Sequence, residues 1–219
     1  MPPLDVFTAA AKAVTLPAPR QSGGMPLYDA LKARHSTREF ADRPLPAAVL
    51  SNLLWCAWGV NRPWSGDHTA PSWRHSSEVD LYVFTADGVW LYDPRGHRLI
   101  PRVAGNHRTL AGLQDFVAAA PLNLIYVADL ARMEPGPEAE HRNAAFTDAG
   151  FIGQNVYLFC ASEGLATVFR GMVDRRRLHR FLGLTEDQRV TYGQTVGYPA
   201  SATPNNAGRT KEIGDETQR

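Results

Sequence analysis

Cysteine is scarce in this chain, and neither sign of charge prevails. Two cysteines among 219 residues, Cys56 and Cys160, sit in apolar helical patterns and form no Cys-x-x-Cys. They read as buried free thiols, which argues against a disulfide scaffold or a dithiol redox centre. Lysine and arginine total 23 against 22 acidic residues, a net charge of +1. Electrostatics therefore give no case for nucleic acid or an anionic membrane as partner. No apolar run approaches the roughly 20 residues of a membrane-spanning helix. The seven histidines show no i, i+4 pair with a third ligand, so no metal is expected. Also missing are a Gly-x-Gly-x-x-Gly after a strand, a Gly-Lys-Ser/Thr phosphate loop and a Gly-x-Ser-x-Gly elbow. No acid–base pair or triad stands out. That absence suits an enzyme whose cofactor carries the chemistry.

What is present reads as one globular, soluble domain. Hydrophobic residues make up 44% and charged residues 21% of the chain, and its length allows an ample core. Residues 1–24 predict an arm. Within it, 9–14 is too short for a secretory core and is interrupted by Lys12. Leu16-Pro17-Ala18-Pro19 and Gly23-Gly24 read as an extended, flexible connection that either wraps a partner subunit or stays disordered. After Pro46, the residues Val49, Leu50, Leu53, Leu54 and Ala57 repeat at helical spacing up to Gly59. Residues 61–77 have no period and are longer than packing needs, which favours a functional loop.

A strand is predicted over 79–86, with a two-residue turn at Asp87-Gly88 and a returning strand over 89–92. Pro94-Arg95-Gly96 turns again towards a third strand around Leu99-Ile100. A helix is expected over 110–119, a strand over the apolar run 122–128, and an exposed loop over 133–140. The long helix over about 142–163 reads as apolar around most of its circumference. Its Gly150 and Gly153 would admit another helix closely, and Gly164 would cap it. A strand over 166–169, a helix over 174–182 ended by Gly183, and a strand over 190–196 complete the pattern. The run Arg175-Arg176-Arg177 reads as a solvated helix face. Helices and strands intermix, so the class is α+β. Residues 25–200 form the domain and 201–219 a polar tail.

The stretch around which this pattern is organised is Arg34-His35-Ser36-Thr37-Arg38-Glu39-Phe40. Two arginines around a serine at a helix exit can hold a phosphate by charge and hydroxyl together. Spacing alone equally describes a basic helix end that complements the macrodipole. Three further blocks follow in order. They are Asn61-Arg62-Pro63 with Thr69-Ala70-Pro71-Ser72, then Gln154-Asn155-Val156-Tyr157 through Ala161-Ser162-Glu163-Gly164-Leu165-Ala166-Thr167, then Val196-Gly197-Tyr198-Pro199. In this order the four blocks resemble the nitroreductase family over roughly residues 25–200.

That resemblance implies a nitroreductase-like fold: a central, mostly antiparallel sheet flanked by helices, with the long helix buried at a homodimer interface. It implies FMN rather than FAD, at two sites shared between subunits, with NADH or NADPH as electron donor. Arg34 and Ser36 would hold the flavin phosphate and ribityl chain, with His35 alongside, and Arg38 would face the pyrimidine edge of the ring. Pro71 and Ser72, with the adjoining Trp73, would line the flavin from the partner subunit. His75 and Ser77 stand where relatives often have asparagine and glutamine, a departure at the ring edge. Glu163, Gly164 and Leu165 would approach N5, mainly through backbone groups.

Arg209 and Lys211 carry the charges of a basic pair that relatives often place after the Gly-Tyr-Pro block, in reversed order. A second phosphate contact and a disordered tail are both open there. No catalytic side chain is implied. The lead-in Leu16-Pro17 to Gly23-Gly24 and the Asn61-Arg62-Pro63 block look most like the branch that includes azoline-oxidising dehydrogenases of peptide biosynthesis. Those enzymes carry extra domains, for which this chain leaves no room. The expectation is a stand-alone cytoplasmic reductase, passing hydride by a ping-pong mechanism to a small-molecule acceptor of nitroaromatic or quinone type. A dehydrogenase that reoxidises its flavin with dioxygen, and a flavin-binding protein without turnover, are the alternatives.

Overall fold

The computed structural model describes residues 12–200. The expectations for the tail, and with them Arg209 and Lys211, lie outside the described residues. Seven strands form one sheet: β1 (Val14–Thr15), β4 (Val79–Phe84), β5 (Gly88–Asp93), β6 (Arg98–Ala104), β7 (Leu122–Asp129), β8 (Ala166–Arg170) and β9 (Gln188–Gly197). Their order is β1-β6-β5-β4-β7-β9-β8, and each neighbouring pair is antiparallel. A small hairpin, β2 (Val60–Arg62) with β3 (Asp67–His68), stands apart from it. The helices are α1 (Leu27–Ala33), α2 (Ala47–Trp58), α3 (Phe116–Ala119), α4 (Glu138–Glu163) and α5 (Arg175–Leu182).

The continuous apolar run in β7 is explained by cover on both sides. Leu122, Leu124 and Tyr126 join the core built with Leu53, Leu54, Ile152 and Val156 of α2 and α4. Ile125 and Val127 join a second core with Phe84, Val117, Leu178 and Val190. Strand β4 divides its side chains the same way, Leu81 and Val83 to the first core and Tyr82 and Phe84 to the second. Strict alternation in two central strands, both faces covered, fixes the register.

Several local expectations are corrected by tertiary contacts. Thr85 N–H donates to the Gly88 carbonyl at 2.9 Å, so Ala86-Asp87 form the hairpin tip and Gly88 opens β5. The Thr85 hydroxyl oxygen accepts from both Asp87 and Gly88 amides, a side-chain turn that outweighs the Asp-Gly preference. The third strand runs on through Pro101 to Ala104. The helix expected over 110–119 is broken into a 3-10 turn at Arg108–Leu110 and the short α3. Between them lies Gly112, where a Cβ would collide with the Arg170 guanidinium. Residues 61–77 hold the β2–β3 hairpin and a 3-10 turn at Trp73–His75 rather than an unstructured loop. Helix α4 starts earlier than expected, at Glu138, and Met133 before it is buried rather than exposed.

Helix α4 is apolar on its core side only. Ala145, Ala149, Ile152, Val156 and Cys160 are buried, whereas Arg142, Asn143, Thr147 and Gln154 face solvent with Phe151 among them. Its two glycines also differ from expectation. A Cβ on Gly153 would sit 2.5 Å from the Phe169 ring, so this glycine seats the sheet and not another helix. A Cβ on Gly150 would meet nothing within 4 Å. Gly164 does end the helix in the left-handed conformation, φ 67°, which a glycine adopts without strain.

The arm is attached to its own domain. Val14 and Thr15 pair with Leu99 and Arg98, and Leu16 is buried in the first core. The buried Ser51 hydroxyl donates to the Pro17 carbonyl at 2.6 Å and accepts from His97 Nε2 at 2.7 Å, while Tyr92 hydroxyl bonds His97 Nδ1 at 2.9 Å. This Ser–His–Tyr chain resembles a nucleophile relay, but its serine is enclosed and its proton engaged. It fastens the arm.

Candidate functional site

The site begins where α1 stops. Arg34 is its C-terminal cap, with φ −59° and ψ 119°, and the chain then runs extended across the sheet edge. Thr37 N–H donates to the Thr167 carbonyl, Ala41 N–H to the Tyr198 carbonyl, and Phe40 bridges Pro199. Helix α1 ends at Ala33, so the two arginines do not sit at helical i, i+4 spacing.

Tyr157 of α4 gathers the first two. Its ring lies 5.1 Å beneath the Arg34 guanidinium, and its hydroxyl bonds Ser36 Oγ at 2.7 Å. The same hydroxyl accepts the Phe169 N–H at 2.9 Å. Neither Arg34 nor Arg38 has a carboxylate partner among the described residues. His35 Nδ1 turns back to the Ala33 carbonyl at 2.8 Å, away from this group. Tyr157 and Phe169 were not singled out by sequence reasoning. The sequence offers one signal for Tyr157, its place in the block that begins at Gln154.

Glu163, Gly164 and Leu165 follow Tyr157 at the end of α4. The Gly164 and Leu165 amides both close onto the Cys160 carbonyl. The Glu163 carboxylate pairs with Arg20 of the arm, and Met25 N–H donates to Ser162 Oγ at 2.8 Å. A cavity of about 370 Å³ opens here between arm, α2 and α4, walled by Asn52, Trp55, Asn155 and Phe159. Cys56 lines it too, and burial pushes that thiol up to about 11, so it stays protonated and unreactive at neutral pH.

The loop with Pro71, Ser72, Trp73 and His75 is fastened near the other end of α4. Trp73 N–H donates to Asp148 Oδ2 at 2.6 Å, and the Trp73 ring meets His141 edge-on at 5.6 Å. Ser72 Oγ accepts from Ser77 N–H, and the Ser76 hydroxyl reaches Glu78 Oε2 at 2.7 Å. Arg74, His75 and Ser77 all hold left-handed backbone, φ 46°, 60° and 49°. The His75 ring stays exposed and meets Asp67 Oδ1 at 3.0 Å. Ser65, then His75, hold the Asp67 carboxyl below its ordinary range. Asp148 and Tyr157 are nine residues apart on one helix, roughly 13 Å. One protomer therefore keeps the loop and the Arg34–Ser36 group separate.

The family model described as Nitroreductase family matches residues 31–198. A nitroreductase-type protein of Methanocaldococcus jannaschii is 32% identical over 170 residues, covering 73% of this chain and 85% of its own length. The chain belongs to the nitroreductase family.

Among solved structures, a nitroreductase-type protein from Ralstonia eutropha superposes with a TM-score of 0.84 at 42% identity, covering 92% of this chain and 95% of that one. The NADPH:FMN oxidoreductase of Vibrio harveyi shares the fold at 18% identity, with a TM-score of 0.61 over 88% of this chain and 78% of that one. The nitroreductase fold, an antiparallel sheet flanked by helices, is thus the one seen here. Among the described residues no helix is long and apolar enough to cross a membrane, and no three His, Cys, Asp or Glu side chains are placed to hold a metal.

Proposed function

We propose that this chain is an FMN-dependent oxidoreductase that takes hydride from NADH or NADPH and passes it to a small organic acceptor of nitroaromatic or quinone type, in ping-pong fashion. The carrying observation is the donor set Arg34, Ser36 and Arg38, left without a carboxylate on an extended segment. Such a set suits a phosphate and an electron-rich ring edge. The Tyr157 hydroxyl already accepts the Phe169 N–H, so its own proton can go to Ser36 and leave the serine proton for an anion. Arg34 would clamp the phosphate, held in place by the Tyr157 ring beneath it. Arg38 would offset negative charge on the reduced ring. When bound, FMN supplies the hydride chemistry, and the chain's residues bind and orient it. On the same fold, the Vibrio harveyi protein is an NADPH:FMN oxidoreductase.

A homodimer belongs to this reading. The loop at 71–75 and the Arg34–Ser36 group are apart in one protomer, and a second copy would bring one to the other. The outer side of the protomer has uncovered apolar residues, Leu27, Tyr28 and Leu31 on α1 and Phe151 on α4 beside the bare Gly150. An isologous contact would bury them. Heat release and chromatography of the purified chain should yield FMN. Arg34→Ala should weaken flavin binding by about 1.5–3 kcal/mol per charge-assisted bond removed. Recovery of FAD, or unchanged occupancy in that variant, contradicts the assignment.

A further inference from the structure

Two carboxyl groups meet in the core behind the loop at 71–77. Glu78, just before β4, is 0% exposed, and Asp148 of α4 is 4% exposed. Asp148 Oδ2 already accepts from Trp73 N–H at 2.6 Å. The Ser76 hydroxyl has one proton, contested by Glu78 Oε2 at 2.7 Å and the Trp73 carbonyl at 2.6 Å. Glu78 Oε1 is buried without a hydrogen-bond partner, and Asp148 is the neighbouring carboxyl that reinforces the upward pull of burial on Glu78. Carboxylates only accept, so two of them buried together favour a proton on the pair.

No cation is at hand to replace that proton. Arg132 faces the cluster from the turn after β7, but its guanidinium is committed to Asp80 at 2.9 and 2.7 Å, with Asp129 at 3.3 Å. Asp129 gives Glu78 only a backbone N–H. His141, two turns along α4 from Asp148, has a buried Nε2 without a partner and touches the Trp73 ring.

We propose that Glu78 and Asp148 share one proton, and that this carboxyl–carboxylate bond is the latch that positions the loop at 71–77. The loop resists closure, because Arg74, His75 and Ser77 hold left-handed backbone that non-glycine residues disfavour. Its two anchors, Trp73 N–H and the Ser76 hydroxyl, end on the two carboxyls that share the proton. Burial pushes the Glu78 carboxyl up to about 7, with Ser76 opposing and Asp148 reinforcing the rise. The closed loop thus binds the proton more tightly than the open one. Closure is fully supported below the ordinary carboxyl range and is lost as pH rises to about 7, levelling off beyond. The consequence for Pro71, Ser72 and His75 as flavin contacts rests on the function proposed above.

The test uses the full-length chain with carbon-13 in its glutamate and aspartate carboxyls, followed by NMR, and hydrogen exchange of residues 72–77 corrected for intrinsic rates. One glutamate carboxyl should titrate near neutrality, and loop opening should rise at least ~10-fold from about pH 5 to about pH 8. Glu78→Gln keeps a donor towards Asp148 and should flatten that dependence. If it does not fold, the wild-type titration decides alone. Every carboxyl titrating below about pH 6, or exchange at 72–77 that does not change with pH, overturns the latch. Flavin content is read separately. A colourless chain with a titrating latch defeats the flavin reading only, and a yellow chain with flat exchange defeats the latch only.

Discussion

At Gly153 there is no room for a methyl group. An alanine Cβ would stand 2.5 Å from two carbons of the Phe169 ring and 3.3 Å from Gln194 Oε1. Alanine gains about 1 kcal/mol of helix propensity, while overpacking costs roughly 1–3 kcal/mol, so Gly153→Ala should lower stability. Gly150→Ala, facing open space in the protomer, should raise it in a monomer and lower it where a second copy packs there. Denaturant titration of the two variants at several protein concentrations separates those cases. Arg170 poses a different cost. Buried without a carboxylate, it donates to Thr195 Oγ1, the Ala111 carbonyl and Asn123 Oδ1, and burial pulls its guanidinium down to about 10. Arg170→Ala would leave the Ala111 carbonyl without this donor and empty a buried guanidinium-sized space, while Thr195 Oγ1 still donates to Asn123 Oδ1 at 2.7 Å; a loss of about 3 kcal/mol is expected in the same measurement.

Among elements, the arm gives the cleanest contrast of forces. Leu16 is buried in the first core, whereas the Arg20–Glu163 pair is half exposed. Leu16→Ala should cost about 2 kcal/mol or more, and Arg20→Ala under about 1 kcal/mol, by urea unfolding. Element order was legible wherever a period or a cap was local: β7 in its apolar run, α5 between Asp174 and Gly183, α4 up to Gly164. It was not legible where a distant residue decided the matter. Gly112 breaks the helix expected at 110–119 because of Arg170, which β8 delivers from far along the chain. The arginine–serine stretch was legible as a phosphate-type signature, but Tyr157 and Phe169 beneath it came only with the fold. Glu78 and Asp148 had no sequence signal, since nothing local marks two carboxyls that will share one buried space.

At the scale of the whole molecule, α4 carries both groups assigned above to the flavin. The Arg34–Ser36 group rests on Tyr157, and the strained loop is fastened to Asp148. Phe151→Glu, on the uncovered side of α4, should shift the chain to a monomer by light scattering and release flavin at the same time. A folded yellow monomer would refute the shared site. The most direct test of the central claim is the absorbance spectrum of the purified chain during anaerobic titration with NADPH or NADH, followed by a quinone. The protein should be yellow, bleach with the nicotinamide and regain its colour with the quinone. A chain that is colourless, or yellow and unmoved by either nicotinamide, would contradict the claim.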